Sequence, residues 1–219
     1  MMKEQYVPVL IAGGSLGGVA AALACAQAGV ACHLFEECAW IGGQASTQGV
    51  PLDEHPWIEQ FGRTRSYAAF RQGVRDYYRR HYPLTLEALR DPALNPGAAW
   101  VTALGYEPRV GLAVLEAMLA PYRAAGLIAI DTGFRPVSAD MDGDRCRAVT
   151  FRRGEEIRVV RADYVLDATE MGDLLPLTGC EHRIGAESQA QTGEPLALDG
   201  DPEPLRQQPF THLAALDYR

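Results

Sequence analysis

The chain has 219 residues, 47% hydrophobic and 22% charged, which is enough apolar material to bury a core and too much for a disordered segment. Its 28 acidic residues outnumber 20 lysines and arginines, giving a formal net charge of -8, so no positive field gathers nucleic acid and the expected partner is a small molecule. Five cysteines without a C-x-x-C pair exclude a disulfide framework, a metal site and the usual iron–sulfur spacings, and reduced thiols fit the cytoplasm.

Residues 7–11 read as a short buried strand, followed by a glycine-rich turn and a helix over about 17–28 that Gly29 stops. Residues 31–35 resume as a strand. No charged side chain falls between Val9 and Phe35, but glycines, Ser15, Gln27 and His33 interrupt the run. A buried strand, turn, helix and strand account for it, and no membrane segment is expected. Thirty residues suit a mononucleotide-binding crossover.

Residues 51–125 change character, with prolines, aromatics and a helical period. Tyr67, Phe70, Val74, Tyr77 and Tyr78 form a packing stripe, while Arg71, Arg75, Arg79 and Arg80 fall largely off it and read as a solvated basic face. A second amphipathic helix is expected over 109–124. Beyond Gly126 come short strands at 127–130, 136–139, 147–151, 157–160 and 164–166, with Asp142-Gly143 and Arg153-Gly154 as turns. They read as an antiparallel β-meander whose last strand enters "DATEMGD"; the tail from Glu187 shows no strong period. The whole is expected to be one α/β domain, Rossmann-like and of the dinucleotide-binding type. It combines a parallel sheet, the meander and a helical insertion, in segments 1–50, 51–125 and 126–219.

The first turn admits two chemistries. Gly13-Gly14-Ser15-Leu16-Gly17 satisfies G-x-S-x-G, the elbow that presents a serine nucleophile. That elbow needs an oxyanion-hole donor from a loop after an earlier strand, and no strand is expected before Val7. The alternative uses backbone: Gly13 permits the tight turn, Gly18 lets helix and strand approach, and N–H groups at the helix start face a pyrophosphate. Glu36, 18 residues after Gly18 at the end of the second strand, suits the hydroxyls of an FAD or NAD ribose and repels a 2′-phosphate. Gly42 and Gly43 then let the chain pass close to ribose and diphosphate. This feature, the meander and the late strand into Asp167-Ala168-Thr169 favour FAD over NAD alone.

The segments "VLIAGGSLGGVAAA", "LFEE", "WIGGQASTQGVP", "DEHPWIEQFG", "NPG" and "DYVLDATEMGDLLPL" resemble the amino-terminal part of the FAD-dependent oxidoreductase family, within the glutathione-reductase-type FAD-binding fold. The resemblance implies FAD held by Gly13, Gly14, Ser15, Leu16, Gly17 and Gly18, by Glu36 and Glu37, and by Gly42, Gly43 and Gln44. It places adenine near Val137 and brings Ala168, Thr169, Gly172 and Asp173 to the cofactor. Ser15 replaces the family's middle glycine and Glu170 the glycine of an Ala-Thr-Gly turn. Such enzymes are generally longer, so the substrate domain is expected in a missing carboxy-terminal half or a companion chain. With flavin as redox centre no catalytic side chain is demanded; among the residues, His55 beside Asp53 and Glu54 is the candidate proton shuttle. The competing function is a noncatalytic dinucleotide-binding subunit that needs a partner.

Overall fold

The computed structural model describes residues 2–209 and 213, which divide into two compact units, Met1–Thr178 and Gly179–Arg219. The first is organised by a six-stranded sheet: β1 (Met2–Ala12), β2 (Cys32–Glu36), β3 (Ile128–Thr132), β4 (Arg135–Asp142), β5 (Arg145–Arg153) and β6 (Glu156–Asp167). Their order across the sheet is β3-β2-β1-β6-β5-β4. The four strands β3, β2, β1 and β6 run parallel, and β5 and β4 add antiparallel.

Helix α1 (Leu16–Gln27) forms the β1–β2 crossover. Alanines give it propensity, Ser15 caps its start, and after the C-cap Ala28 the chain leaves through Gly29 at φ 75°. The connection from β2 to β3 carries α2 (Arg65–His81), α3 (Leu86–Arg90) and α4 (Pro108–Ala124). Thr64 caps α2 and Thr85 caps α3, whereas α4 starts on Pro108, whose missing N–H costs nothing at a first turn. One face of the sheet packs Val9, Ile11 and Leu34 against Val19, Leu23, Phe70, Val74, Val110 and Leu115. The other packs Leu10, Phe35, Phe134, Val149, Phe151 and Val160. Each such buried side chain contributes about 1.5–3 kcal/mol by leaving water.

Three expectations are corrected. The strand expected at 127–130 is β3, which pairs in parallel with β2 and belongs to the nucleotide-binding half of the sheet rather than to the meander. The segments 157–160 and 164–166 are one strand, β6, because β1 begins at Met2 and pairs along its length. There Arg161 meets Glu4 at 2.5 Å and Tyr6 donates to Asp163 at 2.6 Å. These polar cross-strand pairs leave no hydrophobic alternation to read. The solvated face expected of the α2 arginines holds only at its end: Arg80 is exposed and Arg79 half-buried, whereas Arg71 and Arg75 are 2% and 4% exposed. Arg71 pairs with Glu54 and Glu59, and Arg75 also pairs with Glu59.

The second unit holds α6 (Gln189–Thr192), with Ser188 and Gln191 forming a capping box. Isolated bridges join Ala186 to Glu203 and Ser188 to Leu198.

Candidate functional site

The order of the strands reverses at β1, whose carboxyl end lies beside that of β6 in the register Ala12↔Asp167. Ligands of open α/β sheets bind at such a switch point. The chain leaving β1 is pinned on both sides, with Gly13 N–H donating to Phe35 O at 2.7 Å and Ala168 N–H to Ala12 O at 2.6 Å. Gly13 takes φ 97°, and a Cβ there would overlap the Ala168 carbonyl and the Thr169 nitrogen; a Cβ on Gly18 would overlap the Gly13 carbonyl. Only glycine fits this contact between turn, helix and β6.

Ser15 Oγ accepts from Gly18 N–H at 3.2 Å, the role of an N-cap. Among the described residues the N–H groups of Ser15, Leu16 and Gly17 find no acceptor, while Gly14 N–H donates to Glu36 Oε2 at 2.5 Å. Three free amides at the positive end of a twelve-residue helix make an anion site. A Cβ on Gly17 would meet only Ser15 Oγ, at 3.5 Å, so the approach there is open.

Glu36 is 7% exposed and ties the turn together, its other oxygen accepting from Cys38 N–H at 2.7 Å. The Cys38 thiol is pushed up to about 11 by burial and by Glu36. Gly14 N–H and Cys38 N–H thus hold the carboxylate facing a narrow cleft lined by Gly13, Glu36, Glu37, Phe134, Pro136, Thr169, Glu170 and Asp173. Pro136 lines that cleft and its half-buried neighbour Val137 does not. Gly42 and Gly43 take φ 114° and 50°, and Gly42 N–H donates to Gly14 O at 2.6 Å, which binds the second glycine turn to the first. Gln44 is turned away, donating to Pro51 O and Asp53 at 3.2 and 3.0 Å. It edges a second cleft with Ser46, Val50, Leu104 and Tyr106.

Asp167 was not singled out by its sequence. One of its oxygens accepts from the N–H and hydroxyl of Thr169 at 3.0 and 2.7 Å, and the other from Leu174 N–H at 3.0 Å. It therefore fixes both the turn that closes on Gly13 and the start of α5 (Leu174–Thr178). Asp173, beside it, donates its N–H to Thr169 Oγ1 at 2.7 Å. Gly172, at φ 67°, makes the intervening turn. The sequence signal was available in retrospect: a short carboxyl two residues before a threonine and seven before a helix start.

The Asp53-Glu54-His55 cluster is split. Asp53 goes to Gln44; Glu54 goes to Arg71, Tyr67 and Thr102. His55 Nδ1 accepts from Trp57 N–H at 3.2 Å, and its ring lies against Trp57 and Phe61 with centroids 6.4 and 5.9 Å away. No group of three or more His, Cys, Asp or Glu that could hold a metal occurs among the described residues, and no helix among them is long and apolar enough to cross a membrane.

A βαβ crossover with a glycine-framed helix N-terminus, a carboxylate ending the second strand and a meander leading back to the switch point defines a Rossmann-like dinucleotide-binding fold. Residues 8–217 match the sequence model of the family described as FAD dependent oxidoreductase, and the chain belongs to that family. FAD is accordingly its cofactor, and the general role of the family is oxidoreduction. No curated protein matches the chain. Solved structures similar to it include the glycerol-3-phosphate dehydrogenase from Bacillus halodurans complexed with FAD, at 14% identity over 80% of this chain and 36% of that one, TM-score 0.49. The L-proline dehydrogenase from P. horikoshii is 17% identical over 77% and 23%, TM-score 0.40. A geranylgeranyl bacteriochlorophyll reductase-like protein from Thermoplasma acidophilum is 20% identical over 76% and 40%, TM-score 0.43. The chain spans 23–40% of the length of these three.

Proposed function

We propose that this chain is the FAD-binding portion of an oxidoreductase acting on a small molecule, with the remaining substrate-binding surface contributed by further polypeptide. The observation that carries the reading is the set of open amides at Ser15, Leu16 and Gly17, framed by glycines whose packing against Ala168 tolerates no side chain. In this reading those amides hold the diphosphate and Glu36, already aimed by Gly14 and Cys38, accepts from the ribose hydroxyls. Gly42 and Gly43 let the chain pass close by, and Thr169, Gly172 and Asp173 close the opposite side. Bound FAD would supply the hydride or electron transfer. The protein residues contribute orientation and exclusion of water. The second cleft, beside Gln44 and Tyr106, is the place we assign to the small molecule, and His55 is retained as a candidate proton carrier beside its aromatic neighbours.

The test is the visible spectrum of the purified chain, alone and together with the coding sequence that follows it. The expected result is a yellow protein, carrying FAD and bleached by a reductant. Colourless protein that acquires FAD only with a companion polypeptide would favour a noncatalytic subunit. Protein that takes up nicotinamide dinucleotide and no FAD in either form would overturn the proposal.

A further inference from the structure

Glu170 stands at the cradle without serving it. Although the residue is exposed, its carboxylate end lies against buried Gly43: a Cβ built on Gly43 would overlap Glu170 Oε1 and lie 3.2 Å from Ser15 Cα. Its other oxygen accepts from Gln48 Nε2 at 2.8 Å. That bond ties the turn after β6 to the segment after Gly42-Gly43, across the backbone of Ser15. None of the open amides donates to it. The site therefore places a negative group next to the position assigned above to a diphosphate and gives it a neutral partner.

We propose that Glu170 is the residue that sets cofactor affinity at this cradle. FAD binding breaks the Gln48–Glu170 bond and draws a proton onto the carboxyl. The inference rests on the assignment of the Ser15–Gly17 amides to a diphosphate. Among the described residues, the charged side chains that share the cleft with Glu170 all have its sign: Glu36 from β2, Glu37 after it and Asp173 before α5. The Cys38 thiol also faces it, and the Gly43–Gly49 segment offers the neutral Gln48. Burial of the carboxylate end, then Glu36, hold Glu170 above the usual carboxylate range, with Glu37 adding to this and Gln48 opposing it. An arriving diphosphate raises it further. A carboxyl whose pKa rises on binding takes up a proton. Affinity is then highest where it is already protonated and falls as pH rises through its free value, until the bound value is passed.

The experiment titrates FAD into the protein by fluorescence quenching from about pH 5 to about pH 8, for the wild type, Glu170→Gln and Gln48→Leu, with circular dichroism to confirm folding. Wild-type affinity is expected to fall across this range. Glu170→Gln is expected to flatten the profile and to bind about tenfold tighter near pH 8, the effect of a coupling worth on the order of one pKa unit. Gln48→Leu, which removes the bond to be broken, is expected to tighten binding while keeping the pH dependence. Equal affinities and equal slopes for wild type and Glu170→Gln would overturn the role of Glu170 while leaving the cradle assignment intact. Folded proteins that bind no FAD in any of the three forms would overturn both.

Discussion

The cofactor turn and the helical insertion solve opposite problems with charge. At residues 13–18 the binding groups are backbone amides left open, and the side chains are reduced to glycine so that nothing crowds them. In the insertion, full charges are taken out of water and consumed internally. Arg71, 2% exposed, meets Glu54, whose side chain is 4% exposed, and shares Glu59 with Arg75. Tyr67 and Thr102 complete the set around Glu54. The lesson is that arginine-rich sequence is no guide to an anion site: here the anion site is built of backbone amides, and the charges of Arg71 and Arg75 are met by Glu54 and Glu59.

The sharpest way to break the contrast is Gly13→Ala. Its methyl would overlap the Ala168 carbonyl and Thr169 nitrogen at a φ of 97° that alanine resists, and backbone cannot rotate aside. A loss of more than about 4 kcal/mol in urea unfolding is expected; a loss under 1 kcal/mol would mean that the turn adapts. Next comes Arg71→Met, which leaves Glu54 buried without its counter-charge and is expected to cost about 3–5 kcal/mol in the same assay. Replacing Glu54 by Met as well should recover part of this loss, because the two changes share one interaction. The smallest effect is on the acid limb of stability. Burial opposes ionisation of Glu59, but Arg75 and Arg71 outweigh it and hold its pKa below the ordinary 4.5. A carboxyl lowered on folding contributes stability that is present above its unfolded value and is lost as pH falls through its folded one. Glu59→Gln should therefore flatten the fall in stability below about pH 4.5, and an unchanged acid limb would show the pairing to be energetically idle.

These differences follow what each region shows in sequence. The β1–α1–β2 unit was readable because its constraints are local: an apolar run, an N-cap, a terminating Gly29 and a carboxylate at a fixed distance all lie within thirty residues. The charge network was not readable, because Glu54 and Glu59 precede α2 in an irregular segment and helical periodicity speaks only about the helix's own faces. Arg71 and Arg75 lie next to the aromatic stripe, and only the acidic loop decides whether that flank is wet or buried. Asp167 was missed for a different reason: its partners Thr169 and Leu174 lie within seven residues, but neither a strand nor a helix period marks a carboxylate that holds a turn and a helix start together. The limit that hid the charge network also divided Asp53, Glu54 and His55, neighbours in sequence that serve three separate surroundings.

The unbroken course of β6 has a consequence for what changes the protein can absorb. Its twelve residues start at the Gly154-Glu155 reversal and finish at Asp167, roughly 40 Å away at the usual rise. Deleting one residue at that distant reversal and sliding the strand to compensate would exchange its two faces, swinging Asp167 off Thr169 and Leu174. A length change at a hairpin tip is ordinarily absorbed on the surface; here the rod would transmit it to the far end of the sheet.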